Sequence, residues 1–299
     1  MTLPNFFIIG AAKAGTSSLF QYLKQHPQIF MSPVKEPHFF SYKEKVEYSN
    51  GPGDKRDAVG NIRDYLALFE GSEQCIARGE GSTTYLDIES TPERIKSHVP
   101  NAKIIVILRN PVDRAYASFM HRRRDGVEQY SDFSQALQEE EKRIRQKWSM
   151  LWHYKTRQFV YEKLKRYFNT FDKALIKIYL YDDWRSDNHG VLRDIFRFLE
   201  VEENFSPDIS TKHNMGFLPK NEGVHNFFVK QNVFKNILKP LIPFALRQQM
   251  KRKLMNMNFE RQPLSPDIRK QLVEAYREDI LKVQELIQKD LSSWLIIKT

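Results

Sequence analysis

At roughly 150 residues per domain, the 299 residues allow one large domain or two small ones. With 41% hydrophobic and 28% charged residues, 12 glycines and 14 prolines, the composition excludes a disordered or collagenous chain, and the single cysteine, Cys75, excludes a disulfide framework or a multi-cysteine metal site. The 47 Lys and Arg against 37 Asp and Glu leave a charge of +10, which points to an anionic partner: nucleic acid, an acidic membrane surface or a highly charged small molecule.

In chain order, Phe6–Ile9 is the first strand candidate. It imitates the apolar core of an export signal, but no charged leader precedes it and Gly10 ends the run after four residues. No segment approaches the ~18 continuous apolar residues of a membrane helix. These features and the single cysteine predict a reduced, cytoplasmic protein. A glycine-containing loop follows, then a helix from Thr16 to Gln25 with Leu19, Phe20 and Leu23 on one face. Ile29–Met31 reads as a short strand, and Pro33 and Pro37 predict an extended segment after it. Asn61–Phe69 has helical spacing, Cys75–Ala77 is a strand candidate, and Thr91–Val99 is a helix with Pro92 in its first turn.

Lys103–Leu108, reading Lys-Ile-Ile-Val-Ile-Leu, is the clearest buried strand, since a continuous β-branched run suits a parallel strand covered on both faces. Helices are predicted at Val112–Arg124, Phe133–Lys147, Thr156–Tyr167 and Gly190–Leu199, with a strand at Ala174–Leu180. Alternating strands and helices predict a three-layer α/β fold: a P-loop-like central parallel sheet flanked by helices. The last third is helical and basic. Ile268, Leu272, Tyr276, Ile280, Val283 and Ile287 form one apolar stripe, while Leu238–Met257 is broken by Pro240 and Pro243 and carries Lys251, Arg252 and Lys253. We expect one domain over 1–299, with 221–262 a helical cover or an acceptor-side region.

Two strand ends carry chemistry. Gly10-Ala-Ala-Lys13-Ala14-Gly15-Thr16-Ser17 has the glycine spacing of a phosphate loop, in which backbone N–H groups and a helix N-terminus cradle an anion. A Walker A loop would continue Gly-Lys-Ser/Thr; here Thr16 holds the lysine position and the cation has moved to Lys13. The loop alone also reads as a tight strand–helix turn, with Thr16, Ser17 and Ser18 as caps. Arg109-Asn110-Pro111 leaves the Lys103–Leu108 strand at its C-terminal end, where α/β sheets bind ligands, and a planar guanidinium there suits a phosphate monoester. Arg114 reads as a helix-surface charge, and His121-Arg122-Arg123-Arg124 as a solvated basic face or as a source of positive field for an anionic ligand.

These residues resemble the sulfotransferase family. Phe7–Leu19 looks like its 5′-phosphosulfate loop and Val106–Tyr116 like its 3′-phosphate strand–loop–helix. Lys35-Glu36-Pro37-His38-Phe39-Phe40 and Glu80-Gly81-Ser82-Thr83-Thr84-Tyr85-Leu86 resemble active-site segments of the heparan-sulfate branch, and Asp290–Leu295 resembles the ending of bacterial members. The resemblance implies sulfuryl transfer from 3′-phosphoadenosine 5′-phosphosulfate (PAPS), without a metal, to a hydroxyl or amine of a small molecule or saccharide. It implies Lys13, Ala14, Gly15, Thr16 and Ser17 around the 5′-phosphate and Arg109 on the 3′-phosphate. It also makes Glu36 the general base. On an extended segment His38, two residues on, would share its face. The family serine on the 3′-phosphate falls at Ala117, with Ser118 as a substitute; a Gly stands at 81 where the branch often has Lys; and the C-terminal phosphate-binding loop matches best at Lys212–Lys220. Two other readings stay open: a phosphotransferase using ATP or GTP, and a non-catalytic nucleic-acid or membrane-surface binder. No RNA-binding or recognition-helix motif favours nucleic acid as a partner.

Overall fold

Five parallel strands form the sheet, and their order places the first strand in the middle. The structure, a computed structural model, describes residues 2–41, 51–52, 58–210 and 263–297, with the backbone of 218–219 and 259–260. The strands are β1 (Phe6–Gly10), β2 (Ile29–Met31), β3 (Ala77–Gly81), β4 (Lys103–Leu108) and β5 (Ile176–Leu180), in the spatial order β2-β3-β1-β4-β5. From β1 the chain moves outward to β2 and fills in β3, then crosses to β4 and β5. The reversal lies between β1 and β4, and a crevice opens at the C-terminal ends of strands where the winding direction changes.

Each strand is held for a readable physical reason except one. The aliphatic side chains of β4 from Ile104 to Leu108 are fully buried, each worth roughly 2 kcal/mol of apolar burial. In contrast, β3 reads Ala-Arg-Gly-Glu-Gly, so the expected strand at Cys75–Ala77 is displaced to Ala77–Gly81. No apolar alternation marks it. Gly79 is there because the Phe6 ring of β1 lies on it: a Cβ would come within 2.2 Å of that ring. Glu80 is tolerated because three hydroxyls reach its carboxylate.

The helices are α1 (Thr16–Leu23), α2 (Ile62–Ala67), α3 (Thr91–His98), α4 (Pro111–Arg124), α5 (Phe133–Gln138), α6 (Glu140–Arg145), α7 (Tyr161–Thr170), α8 (Tyr181–Ser186) and α9 (Asn188–Leu199), with a closing helix at Pro266–Ile287. Two expected helices are divided. Phe133–Lys147 breaks between α5 and α6 beside Glu140, whose carboxylate accepts the Lys155 and Thr156 N–H groups at 2.6 and 2.8 Å. Thr156–Tyr167 becomes a 3₁₀ turn followed by α7. The Asp279 carboxylate of the closing helix accepts the Val160 and Tyr161 N–H groups at 2.9 and 3.1 Å and so caps α7 from outside. That cap is 118 residues away in sequence, beyond any local signal.

The closing helix buries Leu272, Tyr276, Ile280 and Val283, the middle of the predicted stripe, together with Val273, and Arg269 pairs with Asp113 of α4 at 2.8 Å. Beyond it, Trp294 accepts the Asn110 side-chain amide at 3.4 Å and ties the chain end to the Arg109 loop. Residues 221–262, including the basic 251–253 stretch, lie outside the described residues apart from the backbone of Phe259–Glu260, which pairs with Leu218–Pro219. Among the described residues, no helix is long and apolar enough to cross a membrane.

Candidate functional site

The crevice between β1 and β4 is floored by the glycine loop. Gly15, at φ 91°, is the N-cap of α1, and no side chain caps the helix. The first-turn N–H groups therefore lack a side-chain partner, the condition under which a helix end takes an anion. Lys13 stands in the left-handed region at φ 65°. Ala14 and Thr16 are buried and Ser17 half-buried. A wall of aromatic rings closes one side: a Cβ on Gly15 would crowd Trp184 Nε1 at 3.2 Å and Tyr181 at 3.3 Å, and the φ of 91° itself favours glycine.

Arg109 crosses the crevice from β4. Its Nη1 donates to the Lys13 carbonyl at 3.0 Å, and its guanidinium lies 4.6 Å over the Tyr181 ring. The two strand ends singled out in the sequence, 96 residues apart, are in contact. Tyr181 and Trp184 were not singled out. The available signal was positional, since Tyr181 follows β5 directly as Arg109 follows β4.

The opposite wall is the loop after β2. It is not extended as the prolines suggested: Glu36 and His38 stand at φ 62° and 58° on either side of Pro37. Two non-glycine residues in this region cost about 1–3 kcal/mol each. The strain is held by bonds to the backbone and side chains that follow β3. Glu36 N–H donates to the Gly81 carbonyl at 3.0 Å, His38 N–H to Ser82 Oγ at 3.2 Å and Phe40 N–H to Tyr85 Oη at 3.2 Å. Arg94 of α3 grips the Phe39 and Phe40 carbonyls at 3.1 and 2.7 Å. Glu36 and His38 do end side by side, but through this paired left-handed kink rather than strand alternation.

Their chemistry is asymmetric. Glu36 Oε1 accepts from Lys35 Nζ at 3.0 Å and from Thr83 Oγ1 at 3.1 Å, while Oε2 faces His38 Nε2 at 3.5 Å. The His38 ring is buried, with Nδ1 2.8 Å from Thr84 Oγ1, which in turn lies 2.6 Å from Ser41 Oγ. Thr83 and Thr84 thus complete the wall that the Lys35–Phe40 segment began.

Four charged groups, from the end of α4, the loop after β2 and the 3₁₀ turn before α7, converge on Lys13. Burial pushes its ammonium down to about 7, the Arg124 charge pushes it further, and Asp125 and Glu36 oppose that shift while Arg157 adds to it. His121 of α4, burdened first by burial and then by Lys13, falls to about 3 and stays neutral in the crevice, 3.2 Å from Asp125. The basic run on α4 is not a solvated face: Arg122 is buried with its guanidinium 5.1 Å over Trp152. Nor is Arg114 a surface charge. It is buried with Nε donating to Gln158 Oε1 at 2.8 Å, and burial lowers it to about 10. Ser118 Oγ donates to its own helix at the Arg114 carbonyl, 2.9 Å away, and Ala117 is half-buried beside it. Lys212–Lys220 lies outside the described residues apart from the backbone of Leu218–Pro219.

Behind the crevice, Asp87 sits between Arg157 and Lys163 with contacts of 2.6 and 2.8 Å. Burial alone would raise its carboxyl, but the two cations and their hydrogen bonds outweigh that and hold it at about 2. A carboxyl lowered from 3.8 to about 2 contributes about 2 kcal/mol, present above its unfolded pKa and lost as pH falls through about 2. Asp87→Asn leaves both cations uncompensated and should destabilise the protein at pH 7 by about 3–5 kcal/mol. Urea unfolding checks this, and the gap from the parent should narrow between about pH 4 and pH 2. Among the described residues no group of three or more His, Cys, Asp or Glu is placed to hold a metal ion.

Comparison with known proteins adds an independent line. Residues 4–207 match the sulfotransferase family. The fold is similar to the crystal structure of a sulfotransferase from Alicyclobacillus acidocaldarius, with a TM-score of 0.79 and 34% identity over 98% of this chain and 99% of that one. Bifunctional heparan sulfate N-deacetylase/N-sulfotransferase 2 of Bos taurus is 35% identical over 124 residues, covering 42% of this chain and 13% of that protein. Carbohydrate sulfotransferase 15 of Homo sapiens is 31% identical over 156 residues, covering 40% of this chain and 27% of that protein. The similarity thus spans a small part of those two relatives.

Proposed function

This chain belongs to the sulfotransferase family, and from that premise we propose that residues 1–299 act as one domain moving a sulfuryl group from PAPS to a hydroxyl or amine of a small-molecule or saccharide acceptor. The observation that carries the reading is the 3.0 Å contact between Arg109 and the Lys13 carbonyl. It puts a guanidinium and a phosphate loop in one crevice, the arrangement a doubly phosphorylated adenosine requires.

The residues present fit such a donor. The uncapped first turn of α1, with Ala14, Gly15, Thr16 and Ser17, would hold the 5′-phosphate, and Lys13 would stand at the bond to be broken. Arg109 would take the 3′-phosphate, and Tyr181 and Trp184 would flank the adenosine. Ser118 would add to the 3′ contact only by giving up its bond to the Arg114 carbonyl.

Bound there, the donor supplies the sulfuryl group. The acceptor oxygen or nitrogen forms a bond to sulfur as the sulfur–oxygen bond to the phosphate breaks, in line and through a loose transition state. The electron pair stays on the phosphate oxygen beside Lys13, whose cation neutralises it. The acceptor proton passes to Glu36 Oε2, the oxygen not taken by Lys35 and Thr83. His38, fixed by Thr84, orients that oxygen.

Titration calorimetry with 3′,5′-bisphosphoadenosine tests the donor site. Because bonds to a charged group are worth about 1.5–3 kcal/mol, Arg109→Ala should weaken this ligand roughly 10- to 100-fold while leaving adenosine 5′-monophosphate unchanged. Tighter binding of magnesium–ATP than of the bisphosphate would favour the phosphotransferase reading instead. Salt-dependent DNA binding without response to the bisphosphate would favour the non-catalytic one.

A further inference from the structure

Glu80 lies behind the loop that carries Glu36 and His38, and the proposed transfer gives it no task. Its side chain is fully buried at 0% exposure. Three hydroxyls donate to it: Tyr65 Oη at 2.9 Å and Tyr85 Oη at 2.5 Å to Oε1, and Ser82 Oγ at 2.7 Å to Oε2.

A hydroxyl has one proton to donate. Ser82 gives its proton to Glu80, so its oxygen is left to accept, and it takes the His38 N–H at 3.2 Å. Tyr85 likewise gives its proton to Glu80 and accepts the Phe40 N–H at 3.2 Å. Two of the three amide anchors of the strained loop therefore depend on hydroxyls turned toward one carboxylate, the third being the Glu36 N–H on the Gly81 carbonyl. A carboxylate accepts all three donors without conflict. A carboxylic acid does so only with rearrangement: Oε1 already takes two donors, so the added proton falls on Oε2, and the Ser82 hydroxyl that fastens His38 must turn its own proton away to accept it.

We propose that Glu80 is a positioning residue for the transfer: as a carboxylate it orients the Ser82 and Tyr85 hydroxyls, and these fix the loop presenting Glu36 and His38 to the acceptor. The proposal rests on the sulfotransferase reading for the roles of those two residues. It also accounts for a buried negative charge that is not needed for packing. The groups facing Glu80 are Tyr65 from α2, Ser82 and Tyr85 from the segment after β3, Tyr167 from α7 and Glu36 from the loop itself. Burial raises the Glu80 carboxyl to about 7, the three hydroxyls pull the other way, and Glu36 adds to the rise. The loop should accordingly loosen as pH falls through neutrality.

The test is hydrogen exchange on the full-length chain, read in the peptide covering 35–41. Glu80→Gln keeps the size but turns an amide donor or a single acceptor toward the hydroxyls. Exchange across 35–41 should quicken at least tenfold, with β1 and β4 unchanged and the affinity for 3′,5′-bisphosphoadenosine within twofold of the parent. Melting temperature should change little, because losing a buried charge offsets leaving hydroxyls less well paired; a merely structural role would lower it and quicken exchange across the sheet. In the parent, exchange across 35–41 corrected for its intrinsic rate should quicken from pH 8 to pH 6, and Glu80→Gln should abolish that slope. Ser82→Ala, which cuts the link to His38 and one of the three donors to Glu80 but leaves the Tyr85 link to Phe40, should loosen the same peptide and stands in if the first variant fails to fold. Unchanged protection of 35–41 in a folded variant, or protection lost evenly across the sheet, overturns the proposal. Nucleotide binding by the parent is scored separately, so failure of the donor reading and failure of this one are distinct results.

Discussion

Lys13→Ala is expected to lower kcat for sulfuryl transfer by about 10²- to 10³-fold, the range seen when one preorganised group facing a developing charge is removed. The loss should fall on kcat more than on donor binding, since the loop N–H groups and Arg109 remain. The fold should survive, because Lys13 lies in the loop between β1 and α1 and its ammonium makes no hydrogen bond among the described residues. A signature in pH accompanies it. The ammonium is lowered to about 7 in the free protein, first by burial and then by Arg124. It is therefore charged below that pH and neutral above it, and affinity for 3′,5′-bisphosphoadenosine should decline as pH rises from 6 to 8. Lys13→Ala should remove this lysine-linked decline. Calorimetry at several pH values measures both, and an undiminished rate in Lys13→Ala would show that the leaving group is stabilised elsewhere.

Glu36→Gln should be at least as severe, a 10²- to 10⁴-fold loss in rate for removal of a general base. The substitution suits the question because it changes so little else. A glutamine oxygen can still accept from Lys35 and Thr83, which hold Oε1 at 3.0 and 3.1 Å. The left-handed kink at 36–38 is secured by backbone N–H groups, so the loop should keep its place, and bisphosphate affinity should be unaffected at pH 6, where Lys13 stays charged without the support of Glu36. The measurement is transfer of labelled sulfuryl from PAPS across hydroxyl and amine acceptors. A full rate in Glu36→Gln would move the base to another group, with His38 the nearest.

Three places show why a sequence reading reaches only part of such a site. The loop after β2 was expected to be extended, and Glu36 and His38 to share a face by alternation. They do meet, at 3.5 Å, but by two left-handed residues that no local preference favours and that bonds from Ser82, Tyr85 and Gly81 impose. In β3, Gly79 and Glu80 look like breakers until the Phe6 ring and three hydroxyls are in place. On α4, charged residues that read as surface are buried, because Gln158 and Trp152 arrive from segments with no sequence proximity to them.

Short-range chemistry sufficed for the β-branched run of β4, the glycine loop entering α1, the proline-led helices and the order of motifs along the chain. Each depends on backbone conformation and side-chain shape within a few residues, which is what neighbouring letters encode. Only the assembled fold decided that Arg109 touches Lys13 across 96 residues, that Lys13 is lowered to about 7 and that Glu80 is a buried carboxylate fastened to hydroxyls. Charge, desolvation and hydrogen-bond direction are set by whatever lies within a few ångströms in space, and the winding of β1 and β4 around the sheet's reversal point chose those neighbours.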